Sequence, residues 1–185
     1  NTGEDESILN NSLKISQFEN PMGGPDVNEN YWSDSDNETA SDPNWIYISD
    51  VGTLYSFPTN DASGESIQLG FDFPFYEDNL SQCLINPNGW IGFYEDDNGW
   101  NNQSLFDEET PNGAIFGFWD DLNPAYSGNE VGSGIIKYHS NQDRLVVWFD
   151  NVIHWTDINR IYDFQIVLHN TGEINLNYQS MQGDV

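Results

Sequence analysis

Basic side chains are nearly missing from this chain. Four Lys plus Arg stand against 31 Asp plus Glu, a formal net charge of −27 over 185 residues. Lys14 is the only one before Lys137, so few of these carboxylates can sit in ordinary salt bridges. Each must be solvated, held apart or offset by a cation from solution. The resulting field repels phosphate, which argues against nucleic acid and anionic lipid as partners. Cysteine is equally scarce. Cys83 is alone and cannot form an internal disulfide. It lies in the apolar run Cys83-Leu84-Ile85 with no cationic neighbour to activate its thiol, and reads as a small buried hydrophobe. No apolar run reaches the roughly 18 residues of a membrane-spanning helix, so no membrane insertion is expected. The three histidines, His139, His154 and His169, lack the spacing of a zinc site. No nucleophile elbow and no phosphate-cradling glycine loop occurs, so the chain is expected not to be an enzyme.

Aromatic residues, in contrast, are plentiful. At 15 % of the chain they are too many for a disordered polypeptide, and the acidity must sit on a packed core. Residues 1–43 read as an irregular acidic N-terminal segment or linker, with one apolar stretch from Ile8 to Phe18. Residues 44–185 read as one domain. Within it, short β-branched and aromatic runs alternate with turn clusters, and helical spacing is lacking. The expected strands are Trp45–Ile48, Leu54–Phe57, Ser66–Phe71, Leu84–Asn86, Trp90–Phe93, Ala114–Trp119, Gly134–Tyr138, Arg144–Phe149, Tyr162–His169 and Glu173–Tyr178. Asn86-Pro87-Asn88-Gly89 and Asn112-Gly113 are turn signals between them. In the last strand Ile174, Leu176 and Tyr178 alternate with Asn175 and Asn177, so the apolar three are expected inside and the amides outside. The expected fold is all-β, an antiparallel β-sandwich of jelly-roll-like form. The chain starts at Asn1 without a signal-peptide pattern and stops just after a strand-like run, as expected of a piece of something longer.

The order of several segments carries a family resemblance over residues 45–180. Gly70-Phe71-Asp72-Phe73-Pro74-Phe75-Tyr76 and Ile85-Asn86-Pro87-Asn88-Gly89-Trp90-Ile91-Gly92-Phe93 come first. Ile115-Phe116-Gly117-Phe118-Trp119-Asp120-Asp121-Leu122-Asn123-Pro124 follows, then Gly134-Ile135-Ile136-Lys137-Tyr138. The segments 143–152 and 164–174 complete the set. The succession resembles the β-sandwich modules of large secreted and surface proteins of Bacteroidota-type bacteria. The aromatic-Asp-Asp segment is also similar to the nidogen-like extracellular domain. The resemblance implies an accessory, non-catalytic module, and it supplies no catalytic residues to transfer.

Three acidic clusters have the oxygen ligands that calcium takes: Asp34-Ser35-Asp36-Asn37-Glu38 with Asp42, Glu95-Asp96-Asp97-Asn98, and Asp120-Asp121-Leu122-Asn123. The metal candidates are Asp96, Asp97, Asn98, Asp120, Asp121 and Asn123, with calcium as the expected cofactor. The bland alternative is that each cluster is a set of solvated loop carboxylates. Trp100, Tyr126 and Trp155 lie in polar loop contexts, where an exposed ring can stack on the C–H face of a sugar while Asn102 or Asp157 bonds its hydroxyls. Such rings can equally fold back over the edge of the core. Together these features lead to an extracellular or cell-surface module for adhesion or ligand binding. Its partner would be a carbohydrate, or else a protein, and calcium would stabilise it. Two rival readings stand beside this one. One is a structural subunit of a filament or surface assembly that uses residues 1–43 for strand exchange with neighbouring copies. The other is a glycoside hydrolase with a carboxylate pair.

Overall fold

A computed structural model describes residues 22–36, 45–94, 99–105, 110–126 and 131–183. The chain divides into two compact units, Asn1–Pro43 and Asn44–Val185. In the first, strand β1 (Met22–Gly23) pairs antiparallel with β2 (Trp32–Ser33). The connecting loop is organised by Asp26. Its carboxylate accepts hydrogen bonds from the backbone N–H of Asn28 at 2.8 Å and of Asn30 at 2.9 Å, and from the Asn30 amide at 3.1 Å. These bonds favour the ionised form and hold its carboxyl below the usual range. The apolar stretch Ile8–Phe18 lies outside the described residues.

Among its described residues the second unit carries nine strands: β3 (Thr53–Leu54), β4 (Ile67–Phe75), β5 (Asp78–Asn86), β6 (Trp90–Gly92), β7 (Ala114–Phe116), β8 (Ile135–Ser140), β9 (Arg144–Ile153), β10 (Ile161–His169) and β11 (Ile174–Gln182). They form a four-stranded sheet, β4-β5-β6-β7, and a five-stranded sheet, β11-β10-β9-β8-β3, all pairs antiparallel. No helix occurs among the described residues. The fold is the expected all-β sandwich. Each sheet is largely a run of consecutive strands, without the paired Greek keys of a jelly roll, and only β3 joins out of order.

The period-2 alternation of the strands explains the core. In β4 the side chains of Ile67, Leu69 and Phe73 are buried while Gln68 and Asp72 face water. Cys83, Ile85, Ile91 and Ile115 line the same sheet, and Ile136, Leu145, Val147, Phe149, Phe164, Ile166 and Leu168 meet them from the larger one. Phe149 and Phe164 stack with centroids 4.5 Å apart. The burial of Cys83 pushes its thiol well above the ordinary range, as fits a packing residue.

Strand β10 is buried along nearly its whole length because both of its faces are covered. On the outer face Val146, Trp148 and Val167 pack with Ile48, with Trp45 and Ile46 against them. The expected strand Trp45–Ile48 is therefore corrected to a strap without strand pairing. The buried Gln165 amide supplies what a neighbouring strand would have. It donates to the Ile46 carbonyl at 2.7 Å and accepts from the Ile46 N–H at 3.2 Å.

Strand β11 reverses the expected burial. Asn177 is buried, whereas Ile174, Leu176 and Tyr178 are exposed. Their orientation is nevertheless the expected one, since they stand opposite the core residues Leu168, Ile166 and Phe164 of β10. β11 ends the five-stranded sheet, so its core-facing row is only partly covered, and the Tyr178 hydroxyl donates to the Gly117 carbonyl at 2.6 Å.

Candidate functional site

The β5–β6 turn is the keystone of one end of the sandwich. Gly89 adopts φ 89°, and a Cβ there would come within 1.8 Å of the Phe118 carbonyl oxygen. Only glycine admits that approach. The Gly89 carbonyl in turn accepts the N–H groups of Gly117 and Phe118 at 3.0 and 3.1 Å. Asn88, fully buried, ties three segments together. Its N–H bonds Asn86 Oδ1 at 2.9 Å, its amide donates to the Asn60 carbonyl at 3.1 Å, and its Oδ1 accepts from the Leu122 N–H at 2.9 Å. The amide also lies 3.5 Å from Asp61 Oδ1. A turn, a loop and the chain after β7 are thereby fixed on one another.

This clamp displays Asp120 and Asp121 beside the β9–β10 loop. The Asp121 carbonyl accepts the Trp155 N–H at 2.8 Å, and Leu122 bridges to His154. Asp120 Oδ1 caps the Asp121 N–H at 3.0 Å, and its Oδ2 lies 3.6 Å from His154 Nε2. His154 Nδ1 accepts the Thr156 N–H at 3.1 Å, so in the neutral ring the proton sits on Nε2, towards Asp120. Burial pushes the Asp121 carboxyl above its ordinary value. The negative charges of Asp61 and Asp120 add to that, and His154 opposes it. Asn123 is buried; its N–H bonds the Ile153 carbonyl at 2.8 Å, and its own carbonyl accepts from Ser133 at 3.0 Å.

The flanks carry exposed indoles. Trp155, 49 % exposed, stands on a loop stiffened by Asp157, which accepts from the Asn159 N–H at 2.9 Å and lies 3.6 Å from the Arg160 guanidinium. The bonds from Asn159 hold the Asp157 carboxyl low. On the other side Asn102 donates to the Trp119 carbonyl, and the Trp119 indole N–H donates to the Gly99 carbonyl. These bonds hold Trp100, 47 % exposed, next to the chain that leads into Asp120.

Of the residues expected from sequence, Asp120, Asp121, Asn123, Trp155 and Asp157 are thus gathered around one segment, with Trp100 and Asn102 attached to its start. Tyr126 belongs elsewhere. It is half-buried and packs on Phe57, with ring centroids 5.6 Å apart. Asp96, Asp97 and Asn98 lie outside the described residues. Asp61 and Asn88 escaped sequence reasoning because their contacts span up to 34 residues, and no local spacing encodes that. Among the described residues, no three His, Cys, Asp or Glu side chains converge as a ready ion cage. A cation at this end would draw on backbone, amide or water oxygens beside the carboxylates, which suits calcium's loose coordination.

The architecture defines an antiparallel β-sandwich module whose polar end is edged by tryptophan. A family model described as NIDO related matches residues 37–185, and the chain belongs to that family. No curated protein and no solved structure matches it. Among the described residues no helix is long and apolar enough to cross a membrane.

Proposed function

We propose that this NIDO-related chain is a non-catalytic extracellular module, secreted or on the cell surface, that binds carbohydrate at the Asp120–Asp157 end and is stabilised there by calcium. The observation that supports this most is the pairing of half-exposed Trp155 and Trp100 with carboxylates on one rigid segment. A sugar ring needs an aromatic platform for its C–H face and acceptors at the rim for its hydroxyls. Calcium would draw on Asp120, Asp121 and Asn123 with backbone or water oxygens, and would offset the charge of Asp121, whose carboxyl is raised first by burial and then by the charges of Asp61 and Asp120. Carbohydrate binding and calcium binding can be tested apart.

The test is retention on a panel of immobilised neutral and acidic polysaccharides. The intact chain should be retarded on at least one of them. Trp155→Ala and Trp100→Ala should each weaken the interaction by about tenfold, roughly 1.4 kcal/mol. Their melting temperatures should stay unchanged, because both rings are half exposed. Passage through every matrix, or full retention of both variants, would remove carbohydrate from the account.

A further inference from the structure

The first compact unit holds a pocket of its own, apart from the sandwich. It measures about 340 Å³ and is lined by Gly24, Pro25, Asp26, Asn30, Tyr31 and Trp32. Two glycines let the rings lie close to the backbone. A Cβ on Gly23 would come within 2.8 Å of Trp32 Cε2, and one on Gly24 within 3.1 Å of Tyr31 Cδ1. Both aromatic residues nevertheless stay more than half exposed, Trp32 at 57 % and Tyr31 at 69 %. Asp26 supplies charge. Its carboxylate offers about four acceptor positions, and the N–H groups of Asn28 and Asn30 with the Asn30 amide take three of them. Residues 22–36 add Glu29, Asp34 and Asp36 to Asp26 and contain no Lys or Arg.

We propose that this pocket binds a small quaternary ammonium ion, with its methyl groups against Trp32 and Tyr31 and its charge balanced by Asp26. The face of an indole is the strongest aromatic platform for a cation, and a phenol ring adds to it. Other ligand classes fit this lining less well. An anion is repelled by a chain of net charge −27. A hard metal ion takes about six to eight oxygens, and here rings, glycine and proline surround one carboxylate that is already bonded. A primary ammonium brings three N–H donors that each need an acceptor, and Asp26 has about one position left. A neutral sugar gains nothing from the charge. A methylated ammonium has no N–H to satisfy, and binds through ring faces and Coulomb attraction alone.

Proton NMR of choline chloride titrated with the full 185-residue chain tests this, in about 20 mM and about 500 mM sodium chloride. The N-methyl resonance should move upfield, as it does over an aromatic face, and give a Kd on the order of 1 mM at low salt. The higher salt should weaken binding by about threefold or more. The neutral isostere of choline, with carbon in place of nitrogen, should bind at least about tenfold more weakly. These arms use the unmodified chain and stand whether or not a variant keeps the hairpin. Trp32→Ala should weaken binding by at least about tenfold, and Trp32→Phe, which keeps a ring, by about threefold. Asp26→Asn keeps an oxygen for the Asn28 and Asn30 N–H groups and should lose about fivefold. Trp155→Ala should change nothing, since that ring belongs to the other unit. An N-methyl resonance unmoved by about 1 mM chain, equal binding of the isostere, indifference to salt, or full binding by Trp32→Ala would each overturn the proposal.

Discussion

Strand β10 and the segment Trp119–Asn123 belong to one sandwich and are held by opposite means. β10 is fixed by apolar contact on both faces, with Phe164, Ile166 and Leu168 towards the other sheet and Val167 beneath the Trp45–Ile48 strap. Its polar members are hydrogen-bonded in place, Gln165 by the Ile46 backbone and Asp163 by the Trp148 indole N–H at 2.7 Å. The 119–123 segment buries only Leu122 and Asn123 and is fixed by backbone bonds and by Asn88. It carries two carboxylates, and the cationic partner found beside them among the described residues is His154. A fold can afford such a charged end when its stability is generated elsewhere. Stability is generated along the buried strand β10, and the carboxylates of Asp120 and Asp121 stand at an end where a ligand or cation can reach them.

Substitutions should separate the two regions. Phe164→Ala removes a fully buried ring from the stack on Phe149 and should cost about 3–5 kcal/mol in denaturant unfolding. A loss below about 1 kcal/mol would mean that the intersheet core is not where the stability lies. Asn88→Ala strands the buried Leu122 N–H and the Asn60 carbonyl, and should cost about 1–3 kcal/mol. It should also weaken polysaccharide retention, whereas Phe164→Ala should not, provided both are assayed well below their melting temperatures. Equal effects of both on binding would collapse the distinction between core and end.

Asp121→Asn should have the smallest effect and the opposite sign. The Asp121 carboxyl is raised in the folded chain, so between its ordinary value and the raised one the folded state holds more proton than the unfolded state. Stability therefore falls as pH rises through that window and levels off above it. The amide should be stabilising at neutral pH by a few tenths of a kcal/mol, the scale for a solvent-screened group. The gain should vanish below about pH 4, the ordinary carboxyl range. Thermal melts at pH 7 and at acid pH check this, and a destabilised variant at neutral pH would contradict the sign.

The sandwich was legible in the sequence because strand alternation and turn chemistry are local. The expected strands Gly134–Tyr138 and Arg144–Phe149 form and pair as a hairpin, with Asn141 Oδ1 in its turn accepting the N–H groups of Asp143 and Arg144. Strand β5 extends back to Asp78, beyond the expected Leu84, because its first half is polar and partnered by β4. The strap at Trp45–Ile48 has strand-like composition, but its pairing partner is a single glutamine 119 residues away. Likewise the facing direction of Ile174, Leu176 and Tyr178 follows from alternation, while their exposure goes with the place of β11 at the end of its sheet, which alternation does not encode. Parts of the candidate site were visible as exposed-context tryptophans and paired aspartates. The clamp that assembles them, Asn88 with Asp61, Asn60 and Leu122, depends on long-range closure and left no local trace.

The most direct test of the central claim, that the surplus charge at the Asp61–Asp120–Asp121 end is offset by a captured cation, is a melting curve in calcium and in excess chelator at equal ionic strength. At a calcium concentration about 100 times its dissociation constant, the folded state should gain about 2.7 kcal/mol. For a domain of this size that is a rise of about 2–4 °C per kcal/mol, and Asp121→Asn should largely abolish it. Coincident midpoints with and without calcium would contradict the account and leave ordinary salt screening in its place.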